Sequence, residues 1–94
     1  MKIVVSKQAK ADLLEIRQYI ARDNQVAAKS EIVRIKAAIE LLATDKADGR
    51  TVFLANGETA RIWLVSSYRL YYRRIANELH VLRVYHQARK PIER

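Results

Sequence analysis

The chain has no cysteine, only two glycines and a single proline among its 94 residues. The lack of cysteine excludes disulfide bonds and thiolate chemistry, and it is compatible with a reducing compartment. Half of the residues are hydrophobic, so the scarcity of glycine and proline excludes a disordered or fibrous chain. Because this length suits one core, we expect a single domain over residues 1–94.

Long apolar runs are also missing from the sequence. No stretch approaches the ~20 apolar residues needed to cross a bilayer. The N-terminus lacks the hydrophobic segment of a signal peptide. We therefore expect a soluble, cytoplasmic protein that does not associate with membranes.

Residue types that build most metal and cofactor sites are scarce. The two histidines, His80 and His86, lie too far apart along one predicted strand to chelate a metal together, since a strand rises ~3.3 Å per residue. The two glycines, Gly49 and Gly57, stand alone, so there is no glycine-rich phosphate loop. The serines form no motif typical of a catalytic triad. The sequence therefore predicts neither a metal nor a cofactor.

Acidic residues are few in the second half of the chain, and this gives the protein its formal net charge of +8. Residues 1–49 carry nine basic and seven acidic side chains, whereas residues 50–94 carry nine basic and three acidic ones. Eight of the latter nine basic residues are arginine, which binds phosphate and carboxylate with a planar fork of donors. The charge favours a polyanionic partner, either nucleic acid or an acidic protein segment, although arginine can also simply keep a small domain soluble.

Two amphipathic helices are predicted in the first half. A β-prone run, Lys2–Val5, ends at Ser6, which is a good N-cap. Apolar residues then recur at helical spacing from Lys7 to about Arg22: Ala9, Leu13, Ile16 and Ile20. Asn24 can cap a second helix from about Gln25 to Ala43, whose apolar positions are Ala28, Ile32, Ile35, Ile39 and Leu42. The short break between the helices predicts an antiparallel helical hairpin.

The second half is predicted to be β-structure. Asn56-Gly57 is a strong hairpin turn between the predicted strands Arg50–Ala55 and Glu58–Val65. A second hairpin is predicted from Ser67 to Arg89, with a polar break at Ala76-Asn77-Glu78. The predicted fold class is α+β: a β-strand, an antiparallel helical hairpin, and then a three- or four-stranded antiparallel sheet with both helices on one face.

Alternation along the strands predicts which side chains share a face. We expect the inward side chains, which face the helices, to be Ile62, Leu64, Leu70, Tyr72, Leu82 and Val84. Val81 would then point away, and the opposite face would be open and would carry Arg61, Trp63, Arg69, Tyr71, Arg73, Arg83 and Tyr85. Arginine beside aromatic rings suits nucleic acid, and the same residue types are hot spots at protein interfaces. The residue types alone leave both kinds of partner open.

Four residues in this region could also support cleavage of RNA without a metal. That reaction needs a base for the ribose 2′-hydroxyl, cations for the phosphate oxygens and an acid for the leaving oxygen. The residues that could supply these groups are Arg69, Arg83, Tyr85 and His86. In the structural alternative, His86 caps the last strand and the two arginines pair with acidic residues.

Short segments along nearly the whole chain also form a recognisable pattern. In the first half they are Ser6, Ala9, Asp12-Leu13, Ile16, Tyr19-Ile20-Ala21, Ala27-Ala28, Ile35, Ile39, Leu42 and Gly49-Arg50. In the second half they are Tyr68-Arg69-Leu70-Tyr71-Tyr72-Arg73 and Leu82-Arg83-Val84-Tyr85-His86-Gln87-Ala88-Arg89. Together and in order, these segments resemble the RelE/ParE toxin superfamily, and the ending of the second half resembles its ParE branch.

The resemblance implies a toxin of a type II toxin–antitoxin module that is neutralised by a cognate antitoxin. Toxins similar to ParE inhibit DNA gyrase and need no active site, whereas toxins similar to RelE are ribosome-dependent endoribonucleases that cut mRNA in the A site. In the ParE interpretation there are no catalytic residues, and the expected partner-binding residues are Arg61, Trp63, Arg69, Tyr71, Arg73, Arg83, Tyr85, His86 and Arg89.

The match to the RelE branch is incomplete. Arg69 matches a catalytic arginine of that branch, and Arg61 lies where it has a basic residue. His86 lies near the position of a catalytic histidine in some nuclease members. However, Trp63 stands where RelE has a second lysine, and no tyrosine follows Arg89. The resemblance therefore favours a gyrase inhibitor over an mRNA endoribonuclease.

The antitoxin expected from these residues is acidic. A partly disordered acidic segment can fold onto a basic, aromatic surface and add a helix or a strand while its carboxylates pair with arginine. We therefore expect the C-terminal region of the antitoxin to be acidic and amphipathic. The resemblance is also compatible with a toxin dimer or a hetero-oligomer with the antitoxin.

Overall fold

The computed structural model describes residues 1–89, 91 and 92. Its helices and strands, in chain order, are β1 (Lys2–Val5), α1 (Lys7–Ala21), α2 (Gln25–Ala43), β2 (Arg50–Phe53), β3 (Thr59–Val65), β4 (Tyr68–Ile75) and β5 (Glu78–His86). This order confirms the predicted α+β class. Among the described residues, neither helix has the length and hydropathy needed to span a membrane.

One five-stranded sheet contains all of these strands, in the order β1-β5-β4-β3-β2. Strands β2 to β5 form the predicted antiparallel sheet. β1 was predicted as a strand but not placed in this sheet, and it lies parallel to β5, with Lys2 opposite Glu78 and Val5 opposite Val81. The first and last strands of the chain are therefore neighbours.

Both predicted helix caps are present. The Ser6 side chain accepts a hydrogen bond from the Ala9 N–H at 3.0 Å, and the Asn24 side chain accepts one from the Ala27 N–H at 3.0 Å. Each cap satisfies an N–H group that the first turn of a helix leaves without a partner. The helices consequently begin at the residues expected from the sequence.

Both helices pack on one face of the sheet. The buried residues between the helices and the sheet form what we call the helix-side core: Ala9, Ile35, Ile39, Leu42, Ala43, Val65, Tyr68, Leu70, Tyr72, Leu79, Val81 and Val84. The predicted inward orientations of Leu70, Tyr72 and Val84 are therefore confirmed.

The opposite face of the sheet is not the open surface that the alternation predicted. It carries a second buried group, the far-side cluster, formed by Val52, Ala60, Ile62, Tyr71 and Tyr85, with Leu54, Leu82 and Ile92 packed against it. Tyr71 is 0% exposed and Tyr85 is 8% exposed. The prediction that these two tyrosines lie on an open surface is therefore wrong, because aliphatic side chains pack around both rings.

The turn between β3 and β4 explains why β3 faces the opposite way from the prediction. Ser66 and Ser67 form a two-residue turn that places Trp63 opposite Leu70. Directly opposed residues share a face of the sheet, so Trp63 packs against the helix-side core and Ile62 joins the far-side cluster. The expectation that Ile62 and Leu64 face the helices while Trp63 faces away is wrong.

A β-bulge explains the second error, in β5. Tyr72 pairs with Val81 and Tyr71 pairs with Arg83, which leaves Leu82 as an extra residue. An extra residue reverses the alternation beyond it. Val81 therefore faces the helices and Leu82 packs against the far-side cluster, the reverse of what was predicted.

Candidate partner-binding site

Five of the predicted site residues come together where β4 begins and β5 ends. We call this group the arginine–tyrosine cluster: Arg69, Arg83, Tyr85, His86 and Arg89. Arg69 lies opposite Tyr85 in the sheet, and Tyr68 lies opposite His86. Because opposed residues share a face, Arg69 and Tyr85 lie on the far side, whereas His86 lies on the helix side. The cluster therefore wraps around the end of the sheet.

Asp12 of α1 holds Arg83 in this cluster. The Asp12 carboxylate accepts hydrogen bonds from Nε and Nη2 of Arg83 at 2.8 and 2.9 Å, and a third from the Val84 N–H at 2.9 Å. Asp12 is only 5% exposed. The hydrogen bonds that Arg83 donates to Asp12 outweigh its partial burial and raise the pKa of Arg83 above its ordinary value.

Two guanidinium groups stack against the ring of Tyr85. The Cζ atoms of Arg83 and Arg89 lie 4.5 and 4.4 Å from the ring centroid. Tyr71 meets the same ring edge-on, with centroids 6.3 Å apart. Contacts of this kind are attractive because a cation faces the negative surface of the ring. They fix Tyr85 and bring two positive charges close together.

Arg69 forms hydrogen bonds with the backbone at the end of β5 and in the segment that follows it. Its Nη1 donates to the carbonyl oxygens of His86 and Arg89, at 3.4 and 3.2 Å. His86 accepts a hydrogen bond from the Ala88 N–H at its Nδ1, and its ring meets Tyr68 edge-on at 5.3 Å. Among the described residues, Arg69 and Arg89 form no ion pair with a carboxylate. Their positive charge is therefore available to an anionic partner.

A cleft of about 400 Å³ adjoins the cluster on the helix side. Its walls include Tyr19, Arg22, Tyr68, His86 and Arg89. Burial raises the pKa of Tyr68, and the charge of a nearby glutamate adds to that effect, so the phenol stays neutral at physiological pH. Aromatic walls beside exposed cations can accept an anchoring side chain from a protein partner.

The remaining arginines of the predicted surface lie elsewhere. Arg61 is opposite Tyr72 on the helix side, where its Nη1 lies 3.2 Å from Asp48. Arg73 pairs with Glu58 at 3.0 Å, away from the cluster along β4. The guanidinium groups are thus divided between both sides of the sheet, and the prediction of one arginine-rich face is wrong. The function of the protein therefore cannot be inferred from one arginine-rich face that binds a polyanion.

The loop between α2 and β2 has its own polar anchor, which the sequence reasoning missed. The Tyr72 hydroxyl donates to Asp48 at 2.5 Å and accepts from the Gly49 N–H at 2.7 Å. Arg74 donates to Asp48 at 2.9 Å and to the carbonyls of Leu42 and Ala47. This network, which we call the loop anchor, sets where β2 begins.

Asp12 was also missed as a site residue, although a signal for it exists. It lies three residues after Ala9 and four before Ile16, so it belongs to the apolar stripe of α1. A carboxylate on a buried stripe requires a partner, and arginine is the most suitable one. No group of three or more His, Cys, Asp or Glu side chains is placed to hold a metal within the part of the chain that the structure describes.

Comparison with known proteins identifies the family. A family model described as "ParE toxin of type II toxin-antitoxin system, parDE" matches residues 3–91. The chain belongs to the ParE toxin family. A solved structure titled "Chromosomal ParDE TA system from P. aeruginosa" is similar to this ParE toxin, with a TM-score of 0.74 and 19% identity over 92% of this chain and 95% of that chain. A comparison with curated proteins finds no match.

The family match confirms the resemblance to the ParE branch. This ParE toxin is the toxin of a type II toxin–antitoxin system, which implies a cognate antitoxin as its partner. At 19% identity, the structural likeness shows the shared fold. The arginine–tyrosine cluster is therefore a candidate contact surface on a ParE fold.

Proposed function

We propose that this ParE toxin acts as a single domain that inhibits DNA gyrase in the cytoplasm, and that the arginine–tyrosine cluster contacts gyrase. Membership of the ParE family supports gyrase as the target. The observation that carries the site is the uncompensated charge of Arg69 and Arg89 at the end of the sheet. In this proposal Arg69, His86 and Arg89 touch the target, while Arg83 and Tyr85 hold them in place.

The geometry of the cluster supports binding better than RNA cleavage. Nε and Nη2 of Arg83 are engaged by Asp12, so that side of the guanidinium is not open to a phosphate. The Tyr85 ring is buried beneath Arg89, and His86 uses Nδ1 to accept the Ala88 N–H. A nuclease needs its acid, base and cations directed at one reacting phosphate. Here three of the four candidate groups are used to hold the fold.

The first prediction tests the target. Purified toxin should block supercoiling by DNA gyrase, and in a translation extract it should leave mRNA intact. Arg89→Ala should weaken inhibition of gyrase about tenfold or more, as expected when a hot-spot arginine is truncated. A supercoiling assay over a range of toxin concentrations measures this change.

Arg17→Ala provides the matched control, since it removes one exposed arginine from α1, away from the cluster. Thermal unfolding of both variants shows whether either one has lost its fold. If the wild-type toxin cleaves mRNA and His86→Ala abolishes that cleavage, the proposal is contradicted and the RelE-like alternative is established. Normal supercoiling in the presence of excess folded toxin would exclude gyrase as the target.

A further inference from the structure

One side of the sheet ends in a short stretch of strand without a neighbour. β2 pairs with β3 only as far as Ile62, opposite Arg50. β3 continues to Val65 and keeps β4 as its partner on the other side. Residues 63–65 therefore form a free edge, which we call the β3 edge. A free edge presents backbone donors and acceptors to which another strand can pair.

Leu64 is the residue whose backbone N–H and C=O face this edge. In antiparallel sheets, residues alternate between pairing with one neighbouring strand and with the other. The two-residue turn is closed by Val65 and Tyr68, so Val65 and Trp63 direct their backbone groups to β4, and Leu64 directs its groups away from it. The position of Gly49 supports this alternation of backbone groups, because a Cβ atom placed on Gly49 would lie 1.9 Å from the carbonyl oxygen of Ile62. The Ile62 carbonyl therefore points to the β2 side, and so does that of Leu64, two residues later.

The equivalent stretch on the opposite side of the sheet is closed by the toxin itself. β5 extends beyond β1, but the Ser6 N–H and Oγ donate to the carbonyls of Val81 and Leu82 at 3.0 and 2.8 Å. Asp12 accepts the Val84 N–H at 2.9 Å. A strand cannot add where Ser6 and Asp12 already occupy these backbone groups. The β3 edge has no such cover among the described residues.

A groove of about 580 Å³ runs along the β3 edge. It is lined by Arg50, Ile62, Trp63, Leu64, Arg69 and Gln87. Leu64 is 61% exposed. No acidic residue lines the groove, and within the described residues neither arginine pairs with a carboxylate. An apolar floor between two arginines fits an extended segment that carries both apolar and acidic side chains.

We propose that an acidic, extended segment of the cognate antitoxin adds to the sheet as a strand at the β3 edge, in line with β2. The backbone of the segment pairs with the N–H and C=O of Leu64, and its carboxylates bind Arg50 and Arg69. A second copy of the toxin in the same groove would bring these arginines against their counterparts, which opposes that arrangement. The proposal rests on neutralisation by an antitoxin and does not depend on gyrase being the target.

Hydrogen exchange at the Leu64 amide is the second prediction and the direct test. We expect this amide to exchange rapidly in the free toxin and at least about tenfold more slowly in the toxin saturated with its cognate antitoxin, since a new backbone hydrogen bond protects it. Exchange measured by NMR on the labelled toxin gives this rate. An amide that stays unprotected in the saturated complex overturns the proposal. So does protection that rises with the concentration of free toxin, which indicates a second copy, or protection by gyrase alone.

A pair of variants tests the same hydrogen bond through affinity. Leu64→Pro removes the outward N–H without removing a bond to β4, and proline is tolerated on strand edges in this orientation. Leu64→Ala is the matched control, because it removes the same apolar side chain and keeps the N–H. We expect Leu64→Pro to bind the antitoxin about tenfold more weakly than Leu64→Ala, and equal affinities of two folded variants would overturn the proposal.

If Leu64→Pro fails to fold, Arg50→Glu provides an independent test. Arg50 is exposed and outside both cores, so its replacement should leave the fold intact and weaken binding of the antitoxin at least about tenfold through repulsion. Unchanged affinity would overturn the role of the groove. A toxin that fails to inhibit gyrase can still give either result, so the two proposals fail separately.

Discussion

Asp12 is an acidic residue within the apolar stripe of α1, and its carboxylate connects that helix to β5. It accepts two hydrogen bonds from Arg83 and one from the Val84 N–H. Arg83 in turn stacks on Tyr85. One carboxylate therefore determines the position of both residues at the centre of the arginine–tyrosine cluster.

The third prediction concerns this residue. Asp12→Ala leaves the Arg83 guanidinium and the Val84 N–H without their acceptor. We expect the free energy of unfolding to fall by about 3 kcal/mol, the lower part of the range for breaking a buried ion pair, because Arg83 can regain some contact with water. Denaturant unfolding followed by circular dichroism measures the change.

The matched control is Glu15→Ala, which removes an exposed acidic residue from the same helix. Its effect should stay within about 0.5 kcal/mol. If the two substitutions destabilise the toxin equally, Asp12 does not have the role assigned to it. Destabilisation by Asp12→Ala alone would show that this contact holds α1 on the sheet.

At the scale of the elements, the helices were predictable and the facing of the strands was not. Their apolar periodicity and two capping residues predicted α1 and α2 to within one residue. In β3, both alternating sets contain apolar residues, so hydrophobicity did not determine which set faces the helices. The two-residue turn at Ser66 and Ser67 does determine it, because it places Trp63 opposite Leu70. Periodicity alone therefore leaves the orientation of β3 open, and the length of the turn decides it.

The facing of β5 was predicted wrongly for a different reason, which is the bulge at Leu82. Strict alternation cannot place Val81 and Val84, which are three positions apart, on the same face. Only an extra residue allows it, and nothing in the local sequence around Leu82 indicates a bulge. The far-side cluster could not be predicted for the same reason, since it depends on this shift and on the packing of Ile92.

The fourth prediction concerns the loop anchor and pH. Burial disfavours the ionised form of Asp48, but the hydrogen bond from Tyr72 and the charges of Arg74 and Arg61 outweigh it, so the pKa of Asp48 lies below its usual 3.8. A lowered folded-state pKa stabilises the fold above the unfolded pKa, and that stability is lost as the pH falls through the folded-state pKa. We therefore expect Asp48 to contribute fully above about pH 5 and progressively less below about pH 4.

Comparison with Asp48→Asn isolates this contribution, since every other carboxylate titrates in both proteins. Between about pH 5 and pH 2.5, the wild-type toxin should lose more thermal stability than the variant. Parallel losses in the two proteins would mean that Asp48 does not stabilise the loop. Burial and the hydrogen bond to Asp48 raise the pKa of Tyr72 above its ordinary value of 10.0. The stability that the neutral Tyr72 hydroxyl contributes should therefore be lost only as the pH rises above about 10.

At the scale of the whole molecule, the positive charge is less concentrated than the sequence suggested. The formal net charge is +8, but Arg61, Arg73 and Arg83 are paired with carboxylates within the chain. Among the described arginines from residue 50 onward, those without a carboxylate partner are Arg50, Arg69 and Arg89, and they lie at the end of the sheet and along the β3 edge. The family could be predicted from the ordered segments of the sequence, and the family match confirms it. The single basic face predicted from strict alternation does not form, because the two-residue turn places Arg61 on the helix side and Leu82, the extra residue of the bulge, packs against the far-side cluster.

The fifth prediction follows from this charge. Because we expect the antitoxin to be acidic, its association with the toxin should slow about tenfold when the salt concentration rises from about 0.1 to about 0.5 M. Dissociation should change less, because long-range attraction acts mainly on the encounter. Stopped-flow measurements through the fluorescence of Trp63, the single tryptophan of the toxin, can follow both rates. Association that does not respond to salt would show that electrostatic attraction is unimportant.

The parallel pairing of β1 with β5 has a consequence for biosynthesis. The strand Lys2–Val5 has its partner in Glu78–Val81, so every residue pair between these strands is 76 positions apart in the sequence. All of the residues between the two strands must therefore leave the ribosome before this pairing can form, and such distant contacts form slowly. We expect this pairing to be a late step of folding, which gives an antitoxin that is already present time to bind the folding toxin.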